Sequence, residues 1–131
     1  MTKGSCLCKG IRFEADRLLF LGNCHCSMCR KAHGAAFATF AGAPAKSFRF
    51  LAGEDLIQRY ESSPGNFRAF CRTCGSNIPV ASGDGRMVYI PAGLFDDDPG
   101  TRPAMHIFVG SKAPWWEICD DLPQHAEYPP A

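Results

Sequence analysis

Eight cysteines in 131 residues constrain this chain more than any other feature. Seven of them fall in three tight groups: Cys6 and Cys8 as C-x-C, Cys24, Cys26 and Cys29 as C-x-C-x-x-C, and Cys71 and Cys74 as C-x-x-C. Cys119 stands alone and is read as an unligated thiol. The meaning of such a set depends on compartment, because thiols stay reduced in the cytosol and pair outside it. Met1 to Cys8 lack the long apolar stretch of a secretory signal, and Leu18–Leu21 is too short to supply one. No apolar run approaches the ~20 residues that span a bilayer. The expectation is a soluble cytoplasmic protein whose reduced cysteines bind metal. A thioredoxin-type role for Cys71 and Cys74 is set aside, because no βαβ pattern surrounds them.

The spacing divides the cysteines into two sites. A C-x-x-C turn places two thiolates on one side of the backbone, and Gly75 after Cys74 relieves the strain of that turn. Such a knuckle is half of a tetrahedral zinc site and needs a second pair. Cys6 and Cys8 are the expected partners, since side chains two apart on a strand share a face. Joining them to Cys71 and Cys74 closes a loop of more than sixty residues and removes much of the unfolded chain's entropy. Four thiolates leave no open position, so this zinc is read as structural. Cys24, Cys26 and Cys29 are only three ligands, which leave a fourth position for water or substrate. That is the arrangement of a catalytic zinc, and these three cysteines are the candidate catalytic residues. Iron would also suit the thiolates.

Neighbouring residues are weighed beside the cysteines. Three thiolates on a divalent ion leave about one negative charge by formal counting. Arg30 and Lys31 follow at once and could offset that charge or attract an anionic substrate. His25, between Cys24 and Cys26, points away from the metal face if the stretch is extended, so it is read as a group that packs or supports the ligands rather than as a ligand. His33 lies near enough to act as a fourth ligand or proton carrier. His106 could reach either site or simply pack, and His125 is placed in a solvated tail. No histidine is assigned as a ligand. Fourteen basic residues against thirteen acidic ones give a net charge of +1, which supplies no field for nucleic acid.

The rest of the chain reads as short strands in one domain, residues 1–131. Ile11, Phe13 and Ala15 alternate with polar residues, as Phe48 and Phe50 do around Arg49. Ala35–Phe40 is an apolar run that fits a strand. Leu56–Tyr60 and Phe67–Phe70 suggest a hairpin across Ser62–Asn66, and Ile78–Ala81 with Met87–Pro91 a second across Gly83-Asp84-Gly85. His106–Val109 is a late strand, and Met28–His33 is the best helix candidate. Asp96–Gly100 is a loop, and the tail after Pro123 is irregular. One of Trp115 and Trp116 is expected to be buried.

Three stretches carry a resemblance. Gly4-Ser5-Cys6-Leu7-Cys8-Lys9-Gly10, Asn23-Cys24-His25-Cys26-Ser27-Met28-Cys29-Arg30-Lys31 and Phe70-Cys71-Arg72-Thr73-Cys74-Gly75-Ser76 resemble the glutathione-dependent formaldehyde-activating enzyme family, which includes the centromere protein V group. His106-Ile107-Phe108-Val109 with Lys112, Trp115 and Trp116 is similar to that family's C-terminal part. The resemblance implies a mainly β, tent-like fold of coiled antiparallel sheets, stapled by structural zinc. It implies two zinc ions per chain, a structural one on Cys6, Cys8, Cys71 and Cys74 and a catalytic one on Cys24, Cys26 and Cys29. The activity implied is that of a carbon–sulfur lyase of the S-hydroxymethylglutathione synthase type, acting on a thiol such as glutathione and a small aldehyde. The reading from another class is a non-catalytic, zinc-stabilised binding module for a protein or nucleic acid.

Overall fold

The computed structural model describes residues 1–130. Eleven short strands and one helix follow one another: β1 (Thr2–Ser5), β2 (Arg12–Ala15), β3 (Phe20–Cys24), α1 (Ser27–His33), β4 (Ala38–Pro44), β5 (Phe48–Ala52), β6 (Ile57–Ser63), β7 (Asn66–Cys71), β8 (Asn77–Ile78), β9 (Val80–Ala81), β10 (Met87–Pro91) and β11 (Pro103–Ile107). They form three sheets, in the orders β1-β2-β5, β11-β3-β4-β10-β9 and β6-β7-β8. The expected β class holds. All pairings are antiparallel except one, since β11 runs parallel to β3.

Alternation explains how the sheets face one another. Phe13 and Ala15 of β2 point inward and meet Leu21, Ala41, Ala43, Val88 and Ile90 of the five-stranded sheet. Phe48 and Phe50 extend this core, Phe48 lying 5.6 Å from Phe13 between ring centres. A second cluster joins Cys6 and Ile11 to Ala69, Cys71 and Ile78, so the β6-β7-β8 sheet packs on the N-terminal segment. The third holds Cys24, Cys29 and Ala38 with Phe40, Ile107 and Phe108 around it.

Several elements differ from expectation, each for a local reason. The turn between β6 and β7 is tighter than Ser62–Asn66, because Ser63 already pairs with Asn66 across Pro64-Gly65. The Ile78–Ala81 strand divides at Pro79, which has no N–H to give a ladder. Its first half pairs with β7 and its second with β10. The run from Ala35 becomes a strand only at Ala38, after the turn that ends α1, and continues to Pro44. The late strand lies earlier than His106–Val109 and stops at Phe108, whose φ of 57° leaves the extended region. Beyond Pro123 the tail runs beside β11: His106 N–H donates to the Pro123 carbonyl and His125 N–H to the His106 carbonyl. Neither tryptophan is buried, Trp115 being 69% and Trp116 41% exposed.

Candidate metal centres

The N-terminal knuckle is a turn, not a strand. β1 ends at Ser5, and Lys9 N–H donates to the Cys6 carbonyl at 2.9 Å. Lys9 takes a φ of 65°, in the left-handed region, one residue past Cys8. The second knuckle repeats the construction. Gly75 N–H donates to the Cys71 carbonyl at 2.7 Å, and Gly75 has a φ of 79° one residue past Cys74. The sulfurs of Cys6 and Cys8 therefore converge through a left-handed turn rather than through strand alternation.

The two knuckles meet. Cys6, Cys8, Cys71 and Cys74 place their sulfurs all within 4.8 Å of one another. The Cys6–Cys8 separation is 3.5 Å and the Cys8–Cys71 separation 3.9 Å. Four sulfurs at ~2.3 Å from a tetrahedral zinc stand about 3.8 Å apart, whereas a disulfide requires ~2.05 Å. The donor set thus fits a metal and not a bridge. Ser76 ties the knuckles together: its hydroxyl oxygen accepts from Leu7 N–H at 2.9 Å and lies 3.3 Å from the Cys74 sulfur. The Ser76 hydroxyl and amide bring the Cys74 thiol down to about 5. Cys8 has a favourable Gly10 amide, but crowding by the Cys6, Cys74 and Cys71 thiols drives it up to about 11. A proton shared unevenly among crowded sulfurs is the state that a divalent cation displaces.

The second cluster wraps a helix start. Cys24 ends β3, Cys26 is the N-cap of α1, and Cys29 is its only buried residue. Their sulfurs also lie within 4.8 Å of one another. Cys26 does the work that Ser or Asp usually does at an N-cap, accepting from Cys29 N–H at 3.2 Å. A seven-residue helix is marginal alone, so the sulfur cluster and the packing around it hold this turn. Hydrogen bonds from Cys24 and Cys29, then the Cys29 amide and the Arg68 charge, hold the Cys26 thiol far below the ordinary range despite partial burial. Cys24 is pushed far up by the same sharing with Cys26 and Cys29 and by burial.

The cationic neighbour of this cluster is one that sequence reasoning missed. Arg30 and Lys31 make no hydrogen bond or ion pair with the three sulfurs among the described residues. Instead Arg68, from β7 of another sheet, brings Nη2 to 3.5 Å from the Cys29 sulfur. Asn77 of β8 donates to the Ala32 carbonyl at 3.1 Å and holds that sheet against α1. The alternation of β7 carried a signal, since Arg68 and Cys71 must face opposite ways. Nothing in the sequence said that α1 would lie across the Arg68 face.

The histidines separate clearly. His33 packs edge-on against Phe40, with ring centres 5.5 Å apart. Burial and then the Arg68 charge lower its pKa, against a smaller opposing pull from Cys26. It does not join the sulfur cluster, and no fourth His, Cys, Asp or Glu does so among the described residues. His25 is fully buried and turned away from the sulfurs, against Phe37 and His106. Its Nε2 lies 2.8 Å from His106 Nδ1. Cys119 is exposed and belongs to neither cluster.

A small β protein with one closed four-cysteine cluster and one three-cysteine cluster at a helix start is the class that the fold and the sulfurs define. The chain belongs to the glutathione-dependent formaldehyde-activating enzyme family, whose family model matches residues 1–111. It is 33% identical over 95 residues to an uncharacterized lyase of Schizosaccharomyces pombe, covering 71% of this chain and 67% of that protein. A crystal structure of a Rhodobacter sphaeroides protein superposes with a TM-score of 0.63 at 24% identity, covering 77% of this chain and 91% of that one. That second likeness is one of fold. No helix among the described residues is long and apolar enough to cross a membrane.

Proposed function

We propose that the protein is a zinc-dependent carbon–sulfur lyase that interconverts a thiol plus a small aldehyde with their hydroxymethyl thioether-type adduct, glutathione and formaldehyde being the reactants its family name suggests. The observation that carries this reading is the three-cysteine cluster: three convergent sulfurs, with no fourth protein ligand among the described residues. Family membership and the lyase named among its relatives support the reaction class. A fourth ligand from His33 would have favoured the binding-module alternative, and His33 packs on Phe40 instead.

Cys6, Cys8, Cys71 and Cys74 would hold a structural zinc, and Cys24, Cys26 and Cys29 a catalytic one. A zinc with one free position supplies Lewis-acid polarisation and lowers the pKa of a bound thiol. In the forward direction one S–C bond forms, the carbonyl π pair passes to oxygen, and the thiol proton ends on that oxygen. The chain's part is to hold both reactants together, which converts a bimolecular addition into a local one. Arg68 offers positive charge beside Cys29, the formal excess of three thiolates being negative. Phe40, Ile107 and Phe108 pack on the cluster and limit water around it.

The test is Cys26→Ala assayed with glutathione and formaldehyde by the NMR exchange rate between free aldehyde and adduct. The expected result is loss of catalysed exchange with the β fold retained by circular dichroism, at a stability cost of about 0.5–2 kcal/mol for the lost N-cap. Unchanged turnover in this variant would overturn the proposal. Elemental analysis should give two zinc per parent chain and one per variant chain.

A further inference from the structure

We infer that a buried chain of hydrogen bonds, Asp120–His106–His25, is a positioning device for the three-cysteine centre: by fixing the His25 ring it fixes the direction of the Cys26 sulfur. The inference rests on the reading of Cys24, Cys26 and Cys29 as metal ligands.

The geometry is continuous. An Asp120 carboxylate oxygen lies 2.9 Å from His106 Nε2, and His106 Nδ1 lies 2.8 Å from His25 Nε2. His25 is 0% and His106 2% exposed, while Asp120 opens to solvent. An ionised carboxylate only accepts, so His106 must carry its proton on Nε2. In the neutral ring its Nδ1 then accepts, and His25 donates from Nε2. One tautomer is selected for each ring, and neither ring can turn over without breaking a buried bond. Phe37 closes the assembly, 4.8 Å from the His25 ring and 5.9 Å from the His106 ring.

The backbone shows where this rigidity acts. His25 N–H donates to the Ile107 carbonyl at 2.9 Å, so main chain and side chain of His25 are both anchored to β11. Cys24 and Cys26 are its immediate neighbours, one ending β3 and the other capping α1. Cys24 is set by the ladders that end β3, whereas Cys26 lies past them, and the His25 anchor carries the geometry of β11 on to it. A residue that merely filled space here would be apolar, because a buried imidazole costs free energy unless it is hydrogen-bonded, and of the four ring nitrogens only His25 Nδ1 has no partner among the described residues. β11 pairs in parallel with β3, and that pairing sets Ile107 opposite Cys24. The C-terminal part of the chain thereby reaches the centre without supplying a ligand.

The experiment uses the full chain, loaded first with zinc and then with cobalt(II), and measures affinity at each cluster by chelator competition and thiolate-to-cobalt absorption. His106→Leu removes the acceptor for His25, whereas His106→Asn keeps an amide oxygen near the Nδ1 position. Asp120→Ala breaks the outer bond at a partly exposed site and does not endanger folding. His106→Leu should weaken metal binding at the three-cysteine cluster by roughly 10- to 100-fold, the range for residues that orient ligands. His106→Asn should recover most of the loss, Asp120→Ala should show a smaller loss in the same cluster, and the four-cysteine cluster should be unchanged in all three. Parental affinity in both His106→Leu and Asp120→Ala would overturn the inference. So would equal weakening at both clusters, or an Asn variant as weak as the Leu variant. A parent chain that takes no metal at Cys24, Cys26 and Cys29 would instead refute the metal reading beneath it.

Discussion

Cys71→Ala isolates the contribution of the closed cluster to stability. Cys71 is fully buried, and its sulfur meets that of Cys8 at 3.9 Å across a separation of 63 residues. A cross-link closing a loop of that size removes about 14 cal/mol/K from the unfolded chain, or about 4 kcal/mol at 25 °C. A chain of this length is stable by only about 5–15 kcal/mol, so the loss is a large share of the total. The competing account treats Cys71 as a packed thiol, and truncating it then costs about 1 kcal/mol. Urea unfolding followed by far-UV circular dichroism separates the two. With zinc present, the variant should be about 4 kcal/mol less stable than the parent. With chelator present, the gap should shrink to about 1 kcal/mol, because neither chain is then cross-linked. A difference near 1 kcal/mol that the chelator does not change would refute the staple.

Two further outcomes follow from the same geometry. In metal-free protein near neutral pH, iodoacetamide should label Cys26 and Cys74, the two thiols held below the ordinary range, well ahead of Cys24 and Cys8, which are held above it. Peptide mass mapping reads the order, zinc should protect the Cys26 and Cys74 thiols, and labelling of Cys24 first would contradict the proton sharing described. Gly53→Ala should destabilise the fold by about 2–4 kcal/mol, because its φ of 84° is left-handed and an added Cβ would stand 2.1 Å from the Gly10 carbonyl oxygen. Gly10 leads into Ile11, whose N–H donates to the Cys6 sulfur at 3.3 Å, so this variant should also loosen the four-cysteine cluster in a chelator titration.

Local chemistry was legible, and the need for four ligands joined Cys6 and Cys8 to Cys71 and Cys74 across the chain; other long-range contacts left no such signal. The C-x-x-C and C-x-C spacings identified both clusters because each knuckle is a property of four or five neighbouring residues. The alternation of Phe13 with Glu14 and of Phe48 with Arg49 marked β2 and β5 for the same reason. β3 was missed because Phe20-Leu-Gly-Asn-Cys24 has no apolar–polar alternation, the strand lying between β4 and β11 with Asn23 paired on both sides. The expected strand geometry of Cys6 and Cys8 gave way to a turn, since Lys9 takes a conformation usually left to glycine or asparagine. His25 was placed correctly, turned away from the metal face, but its bond to His106 spans 81 residues and leaves no mark on either neighbourhood. Arg68 and Asp120 escaped for the same cause: their roles arise only when sheets that are distant in sequence come together.

Strand β7 touches both clusters from its two faces, sending Cys71 into one and Arg68 against the other. β7 is thus shared by the two sites, and any shift of that strand moves Cys71 and Arg68 together.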